Sequence, residues 1–339
     1  MFMIGMILCG GYGTRLQRFE PNLPKVLLDI QNSLTILDKQ LFNYKSAGFD
    51  QVILLTGYLS KKIEERYGSE YKGLKIGYIV ENRPLGTLNA VRLGMQKENQ
   101  DAMVSNGDVV TDLNLKSMKR EFERSNCLGS IFVTKMPSPY GMVILGDKFI
   151  ESFEEKPRLD HYINGGFYCF SNDILELLNE FVTGDLEKKL FPKLAKEKQL
   201  AHYREDVPFW ASIDTARDLE KTRQEFEGRI EKPWGFEKVL NLTDAGVTKN
   251  LYILGGYRTS LHIHERREET LHVRSGSGHI EFENRDPEKF KEGSVIKIKP
   301  KTLHSIVATE NTTIYEVSTF FPEDKVRDTV RVKDFYAAR

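Results

Sequence analysis

The sequence predicts an α/β domain built on a mostly parallel sheet, followed by a small all-β barrel or jelly roll. Three observations carry this. Short apolar runs alternate with segments of helical apolar spacing over the first hundred residues, which is the pattern of a parallel sheet covered by helices on both faces. Beyond residue 229 that periodicity gives way to short β-type runs punctuated by glycines, the pattern of a small antiparallel barrel. A chain of 339 residues is also long for one core. The division is placed at residues 1–228 and 229–339.

Taken in order, Ile4, Met6, Ile7 and Leu8 form a buried-strand run that stops at Gly10-Gly11-Tyr12-Gly13. Leu34, Leu37, Leu41 and Tyr44 then recur at helical spacing, and Val52, Ile53, Leu54 and Leu55 form the next apolar run. Ile63 and Tyr67 lead to a strand over 74–80, and Leu88, Val91 and Met95 mark a helix that Thr87 is placed to cap. In such sheets ligands bind beyond the carboxyl ends of the strands. Motifs that follow strands are therefore the ones to examine. A second apolar stretch, Val104-Ser105-Asn106-Gly107, ends in Asp108, and a charged helix over 218–228 closes the domain. The β-type runs that follow cover 251–254, 271–273, 279–282, 295–298 and 313–317.

Composition excludes several classes. Lys plus Arg equal Asp plus Glu, 49 against 49, so no global field recruits nucleic acid or an anionic membrane. Cys9, Cys127 and Cys169 are scattered, with no pair at metal or redox spacing, which suits a reducing cytoplasm. The apolar opening lacks a cationic start, and no later run has membrane-spanning length. A soluble, cytoplasmic protein is expected.

The glycines after the first run let the backbone approach a ligand and offer N–H groups to phosphates. Arg15 and Lys25 follow on the same connection, a forked donor and a point charge suited to a polyphosphate. The spacing is neither a Walker loop nor a dinucleotide fingerprint. Gly10-Gly11-Tyr12-Gly13-Thr14-Arg15-Leu16 with Pro24-Lys25 resembles the signature of the sugar-1-phosphate nucleotidylyltransferases. That resemblance implies a Rossmann-like domain in which Arg15 and Lys25 are catalytic. It also implies that Gly10, Gly11, Gly13, Thr14, Gly86 and Thr87 bind the nucleotide, and that Asp108 holds Mg²⁺. The order Tyr140-Gly141, Glu154-Glu155-Lys156-Pro157 and Asn164-Gly165-Gly166 resembles the family's sugar-binding half and assigns Gly141, Glu155, Lys156, Asn164 and Gly165 to the sugar phosphate. Phe209-Trp210-x-x-Ile213-Asp214-Thr215-x-x-Asp218 is similar to the glucose-1-phosphate cytidylyltransferases and makes Asp214 the second Mg²⁺ ligand. A strict overlay on other relatives would put Ser212 there instead. The implied substrates are an NTP and a sugar 1-phosphate, with GTP and mannose 1-phosphate leading by analogy. Heptose 1-phosphate with GTP, and glucose 1-phosphate with CTP, remain open.

Five of the seven histidines lie between residues 262 and 304. His262-x-His264 on one strand aims both imidazoles to one face, and Glu269 with His304 would complete three histidines and a carboxylate for a divalent transition metal. His272 and His279 read as surface or packing residues. Gly256-x5-His262-x-His264-x4-Glu269-x6-Gly276 matches the first cupin motif, and residues from Lys232-Pro233-Trp234-Gly235 to the C-terminus resemble the cupin of type II mannose-6-phosphate isomerases. The resemblance implies Zn²⁺ or another divalent transition metal, sugar-phosphate isomerase chemistry, and a homodimer through the cupin. Many isomerases have Gln where this chain has His262, so a regulatory sugar-phosphate site, a dimer interface and an iron dioxygenase stay open. For the whole chain the alternative is a non-catalytic nucleotide-sugar sensor.

Overall fold

The computed structural model describes residues 3–11, 13, 16, 22–81, 83, 85–138, 140–181, 183–319 and 328–336. The chain divides into two compact units, Met1–Glu220 and Lys221–Arg339. The division falls within the helix Ala216–Phe226.

The first unit is organised on an eight-stranded sheet. Its order is Leu200–Arg204, Gly129–Pro137, Arg158–Phe170, Asp101–Asn106, Met3–Leu8, Gln51–Thr56, Leu74–Val80 and Glu70–Tyr71. Met3–Leu8 pairs in parallel with both Gln51–Thr56 and Asp101–Asn106, and Leu74–Val80 continues the parallel set. Arg158–Phe170 runs antiparallel to both of its neighbours. Helices cover both faces, so the central strand is apolar at successive positions rather than alternating. Ile7 packs into the core with Leu41, Tyr44 and Met118, whereas its neighbour Met6 packs into the opposite core with Val91 and Met95. Truncating either to Ala would cost about 2–5 kcal/mol.

Local chemistry sets where the elements start. The helix Ile36–Ser46 opens with a reciprocal capping box, in which Thr35 Oγ1 accepts from Asp38 N–H and the Asp38 carboxylate accepts from Thr35 N–H. Leu34 therefore lies outside the helix, in a short strand with Thr35 that pairs with Asp29–Gln31. Thr87 is not the cap of the helix Thr87–Glu98. Gly86 occupies that position without a side-chain bond, and the Thr87 hydroxyl instead accepts from Leu186 N–H at 3.0 Å.

The second unit contains two antiparallel sheets. One has the order Arg229–Lys232, Gly235–Leu242, Gly246–Ile253, Thr312–Thr319, Glu269–Ser275, Val295–Ile298. The other has the order Glu288–Lys291, Ser277–Phe282, His304–Ala308, Leu261–His264, Thr329–Lys333. Ile253, Leu271 and Ile314 of the first sheet share a core with Ile280 and Ile306 of the second. The expected all-β barrel or jelly roll is found as two packed antiparallel sheets, with no ladder joining their edges among the described residues. Alternation along strands such as Val295–Ile298, where Ile296 and Ile298 are buried and Val295 and Lys297 exposed, gives such a strand one apolar face, and burying that face needs a second sheet but not paired edges. No helix among the described residues is long and apolar enough to cross a membrane.

Candidate functional site

The parallel strands of the first unit end at one edge, and a cavity of about 500 Å³ opens there. Gly10, Gly11 and Gly13 line it from the end of Met3–Leu8, Gly86 and Thr87 from the loop after Leu74–Val80, and Asp108 from the turn after Asp101–Asn106. Lys25 and Asp214 complete the wall. Gly107 allows the close seating of this turn. Its N–H donates to Leu8 O at 3.0 Å, and a Cβ there would meet that oxygen at 2.3 Å.

Asp108 and Asp214 lie 106 positions apart and are joined by a backbone bond from Ile213 N–H to Asp108 O at 2.9 Å. Lys25 Nζ donates to Asp108 Oδ2 at 2.7 Å and to Asp214 Oδ1 at 3.0 Å. Two neighbouring carboxylates repel unless a cation lies between them. Hard carboxylate oxygens are the donor set that Mg²⁺ takes, so these residues, beside the glycine loop, fit the expected ion. Ser212, the other position considered, lies beside Asp214, its hydroxyl donating to Asp214 Oδ2 at 3.2 Å. Asp112, the other acid near this turn, is buried against Lys39 at 3.6 Å.

Not every expected residue reaches this cavity. Thr14 and Arg15 lie outside the described residues. Gly141, Glu155, Lys156, Asn164 and Gly165 are absent from the cavity wall. Gly141 faces Glu155 and Phe153, and Lys156 pairs with Glu155 at 2.6 Å on the surface. Gly165 O accepts from Trp210 Nε1 at 2.9 Å. Asn164 lies one link away from the wall, because its amide donates to Tyr168 OH at 3.0 Å and that hydroxyl donates to the cavity-lining Glu187 at 3.4 Å.

Three carboxylates of the wall, Glu81, Asp185 and Glu187, escaped the sequence reading. Glu81 had a signal, since it is the first residue after a strand whose end was expected to bind ligand. Asp185 and Glu187 had none. They arrive through the loop and π-helical turn around Leu186–Leu190, which is bonded to the Gly86 loop by Leu88 N–H to Gly184 O at 3.0 Å and Gly184 N–H to Leu85 O at 2.8 Å.

In the second unit His262, His264, Glu269 and His304 converge, their ligand atoms within 4.8 Å of one another. His262 and His264 share the strand Leu261–His264, and His304 stands opposite His262 on the neighbouring strand. They line a cavity of about 740 Å³. His262 Nδ1 meets Ser260 O at 2.8 Å, His304 Nδ1 meets Thr302 O at 3.0 Å, and His264 Nδ1 meets Asp328 Oδ2 at 3.2 Å. Carbonyl and carboxylate oxygens only accept, so each Nδ1 donates, and each Nε2 faces the centre. Glu269 bridges His264 Nε2 at 3.1 Å and His304 Nε2 at 3.3 Å. Burial alone would raise its pKa, but the bonds from His264 and His304 outweigh burial and hold its carboxyl well below the usual range. Burial, reinforced by the His304 charge, pushes His262 down to about 4. Three imidazole nitrogens and one carboxylate fit Zn²⁺ or another divalent transition metal. His272 and His279 stand outside the quartet.

An ion-pair chain lies along the same cavity. Glu237 meets Lys232 at 3.4 Å and Lys249 at 3.6 Å, and Lys249 reaches Glu316 at 3.8 Å. Burial raises the pKa of Glu316. Glu237 is also desolvated, but Lys249 and Lys232 more than offset this and hold it below the ordinary value.

Comparison with known proteins adds the relationship. The nucleotidyl transferase family profile matches residues 4–228. The chain is 33% identical over 231 residues to a mannose-1-phosphate guanyltransferase of Saccharomyces cerevisiae, across 64% of this chain and 63% of that protein. It is 36% identical over 228 residues to the mannose-1-phosphate guanylyltransferase catalytic subunit beta of Xenopus tropicalis, across 64% of this chain and 62% of that protein. The chain thus spans less than two thirds of the length of these relatives. The crystal structure of HddC from Yersinia pseudotuberculosis superposes with a TM-score of 0.53 at 24% identity, across 66% of this chain and 100% of that one, a likeness of fold. With the family profile covering two thirds of its length, the chain belongs to the nucleotidyl transferase family.

Proposed function

We propose that residues 1–228 transfer a nucleoside monophosphate from an NTP to a sugar 1-phosphate and release pyrophosphate. The observation that carries this is the convergence of Asp108, Asp214 and Lys25 at the strand ends beside the glycine loop. An oxygen of the sugar 1-phosphate attacks the α-phosphorus, the bond to the β-phosphate breaks, and pyrophosphate leaves with its electron pair. No covalent enzyme intermediate is required. Asp108 and Asp214 would hold Mg²⁺, which would neutralise phosphate charge. Lys25 contributes a further positive charge, and the glycine loop positions the triphosphate. Each such preorganised group is worth about 3 kcal/mol of transition-state stabilisation.

GTP and mannose 1-phosphate are the favoured pair. The names of the yeast and frog relatives support them, and so does Glu81. Guanine alone among the common bases presents two adjacent donors, N1–H and the N2 amine, to a single carboxylate. Glu81 offers such a carboxylate at the cavity wall, with Asn89 Nδ2 donating to its Oε1 at 2.6 Å. The test is pyrophosphate release with Mg²⁺ across GTP, CTP, UTP, dTTP and ATP against mannose, glucose and heptose 1-phosphates, in wild type and Glu81→Gln. GTP with mannose 1-phosphate should lead, and Glu81→Gln should cut the preference for GTP about tenfold or more, the discrimination a bidentate base contact supplies. Another base leading in wild type, or an unchanged preference in the variant, would overturn the base assignment. Silence across the grid with tight nucleotide-sugar binding would favour the sensor.

For the second unit, we infer that the quartet holds a divalent transition metal, supported by three Nε2 atoms and Glu269 meeting around one point. A cupin that interconverts sugar phosphates would share a pathway with the transferase.

A further inference from the structure

We propose that Asp328 is the positioning carboxylate of the C-terminal metal centre, setting the ring of His264 and thereby the metal affinity. The proposal rests on the reading that the quartet binds a divalent transition metal. What carries it is a difference among the three histidines. The Nδ1–H groups of His262 and His304 are held by Ser260 O and Thr302 O, carbonyls two residues earlier in their own chain segments. Those acceptors are in place whenever the strands are formed. The acceptor for His264 lies 64 positions away, on Asp328, and is a carboxylate, with the Thr329 hydroxyl also 3.2 Å from the same nitrogen.

Asp328 is placed for this by contacts that leave it little freedom. It is 6% exposed. Its Oδ2 accepts from His264 Nδ1 at 3.2 Å and forms an ion pair with Arg267 Nε at 3.2 Å, and its Oδ1 accepts from Arg266 N–H at 3.0 Å. Its carbonyl accepts from Glu265 N–H at 3.1 Å. The turn after His264 is therefore wrapped on this one residue. The strand Thr329–Lys333 then pairs back along Leu261–His264, with Thr329 opposite His264. A carboxylate on the far nitrogen holds the ring and its tautomer and makes the near nitrogen a stronger donor to a metal. The centre thus draws on a residue well outside the segment that contains its four ligands.

The experiment uses the full-length protein stripped of metal, as wild type, Asp328→Asn and Arg267→Gln. Zn²⁺ affinity is measured by chelator competition, the Co²⁺ complex by its visible absorption, and the fold by thermal unfolding without metal. Arg267→Gln removes a second side-chain partner of Asp328 but leaves its bond to His264. The expected result is a 10–100-fold loss of Zn²⁺ affinity in Asp328→Asn, the usual range for such partners, with a shifted Co²⁺ spectrum and Arg267→Gln close to wild type. If wild type takes up metal and Asp328→Asn binds it equally well, Asp328 has no positioning role, and the metal reading survives. An equal loss in both variants overturns positioning in favour of a general packing role. If wild type takes up no metal, the metal reading fails and this proposal falls with it.

Discussion

Lys25 stands between two carboxylates that would repel each other without it, and the proposed transfer chemistry is centred on that contact. Asp108 was legible because a strand-like run ends there, and Lys25 because it follows the glycine loop at a defined distance. Asp214 was placed only by resemblance, since nothing in the spacing of the sequence brings residue 214 to residue 108. Glu81 was overlooked although it stands at a strand end. In the second unit the His-x-His pair and its carboxylate were readable from strand geometry, but Asp328 was not, because a supporting residue carries no spacing rule. His262 yields a pH prediction at this scale. Its folded-state pKa is lowered from 6.5 to about 4, so between those values the unfolded chain binds a proton that the folded chain excludes. Stability of the metal-stripped protein is therefore lost as pH falls from 6.5 toward 4, by roughly 3 kcal/mol at the acid end. Urea unfolding between pH 7.5 and 4.5 should show this slope in wild type and a shallower one in His262→Gln. Equal slopes would contradict the assignment.

The loop before the helix Thr87–Glu98 shows how an element can be seen in sequence while its closure is not. A capped turn was expected, and the turn is instead closed by a distant segment through Gly184 and Leu186. Gly86 makes that approach possible. Its φ is +95°, and a Cβ there would lie 2.2 Å from Gly184 O. Gly86→Ala must push away the segment that carries Asp185 and Glu187. It should cost about 1–3 kcal/mol of stability and weaken nucleotide binding, measured by thermal unfolding and by NTP titration. An unchanged nucleotide affinity would show that this contact does not shape the site. Between residues 129 and 170 the sequence offered motifs but no elements. The hairpin Met142–Leu145 with Ile150–Glu154 is exposed along both strands, so its apolar residues follow no burial alternation.

At the scale of the molecule, βα alternation over the first hundred residues predicted the parallel half of the sheet. The strands Gly129–Pro137, Arg158–Phe170 and Leu200–Arg204 extend it on one side, and their order is a property of long-range pairing that local periodicity does not encode. The β-rich character of the second unit was also legible, but the choice between a closed barrel and two open sheets was not, because strand patterning specifies a buried face and leaves the edges undetermined. The neutral charge balance, 49 against 49, is consistent with anions being met locally, at the glycine loop and Lys25. The central claim is that this local site performs nucleotidyl transfer. It is tested most directly by pyrophosphate release from GTP and mannose 1-phosphate with Mg²⁺, comparing the full-length protein with Asp108→Ala. Turnover by the wild type and a loss of about a hundredfold or more in the variant is the expected result, whereas equal turnover in both, or none in the wild type, would contradict it.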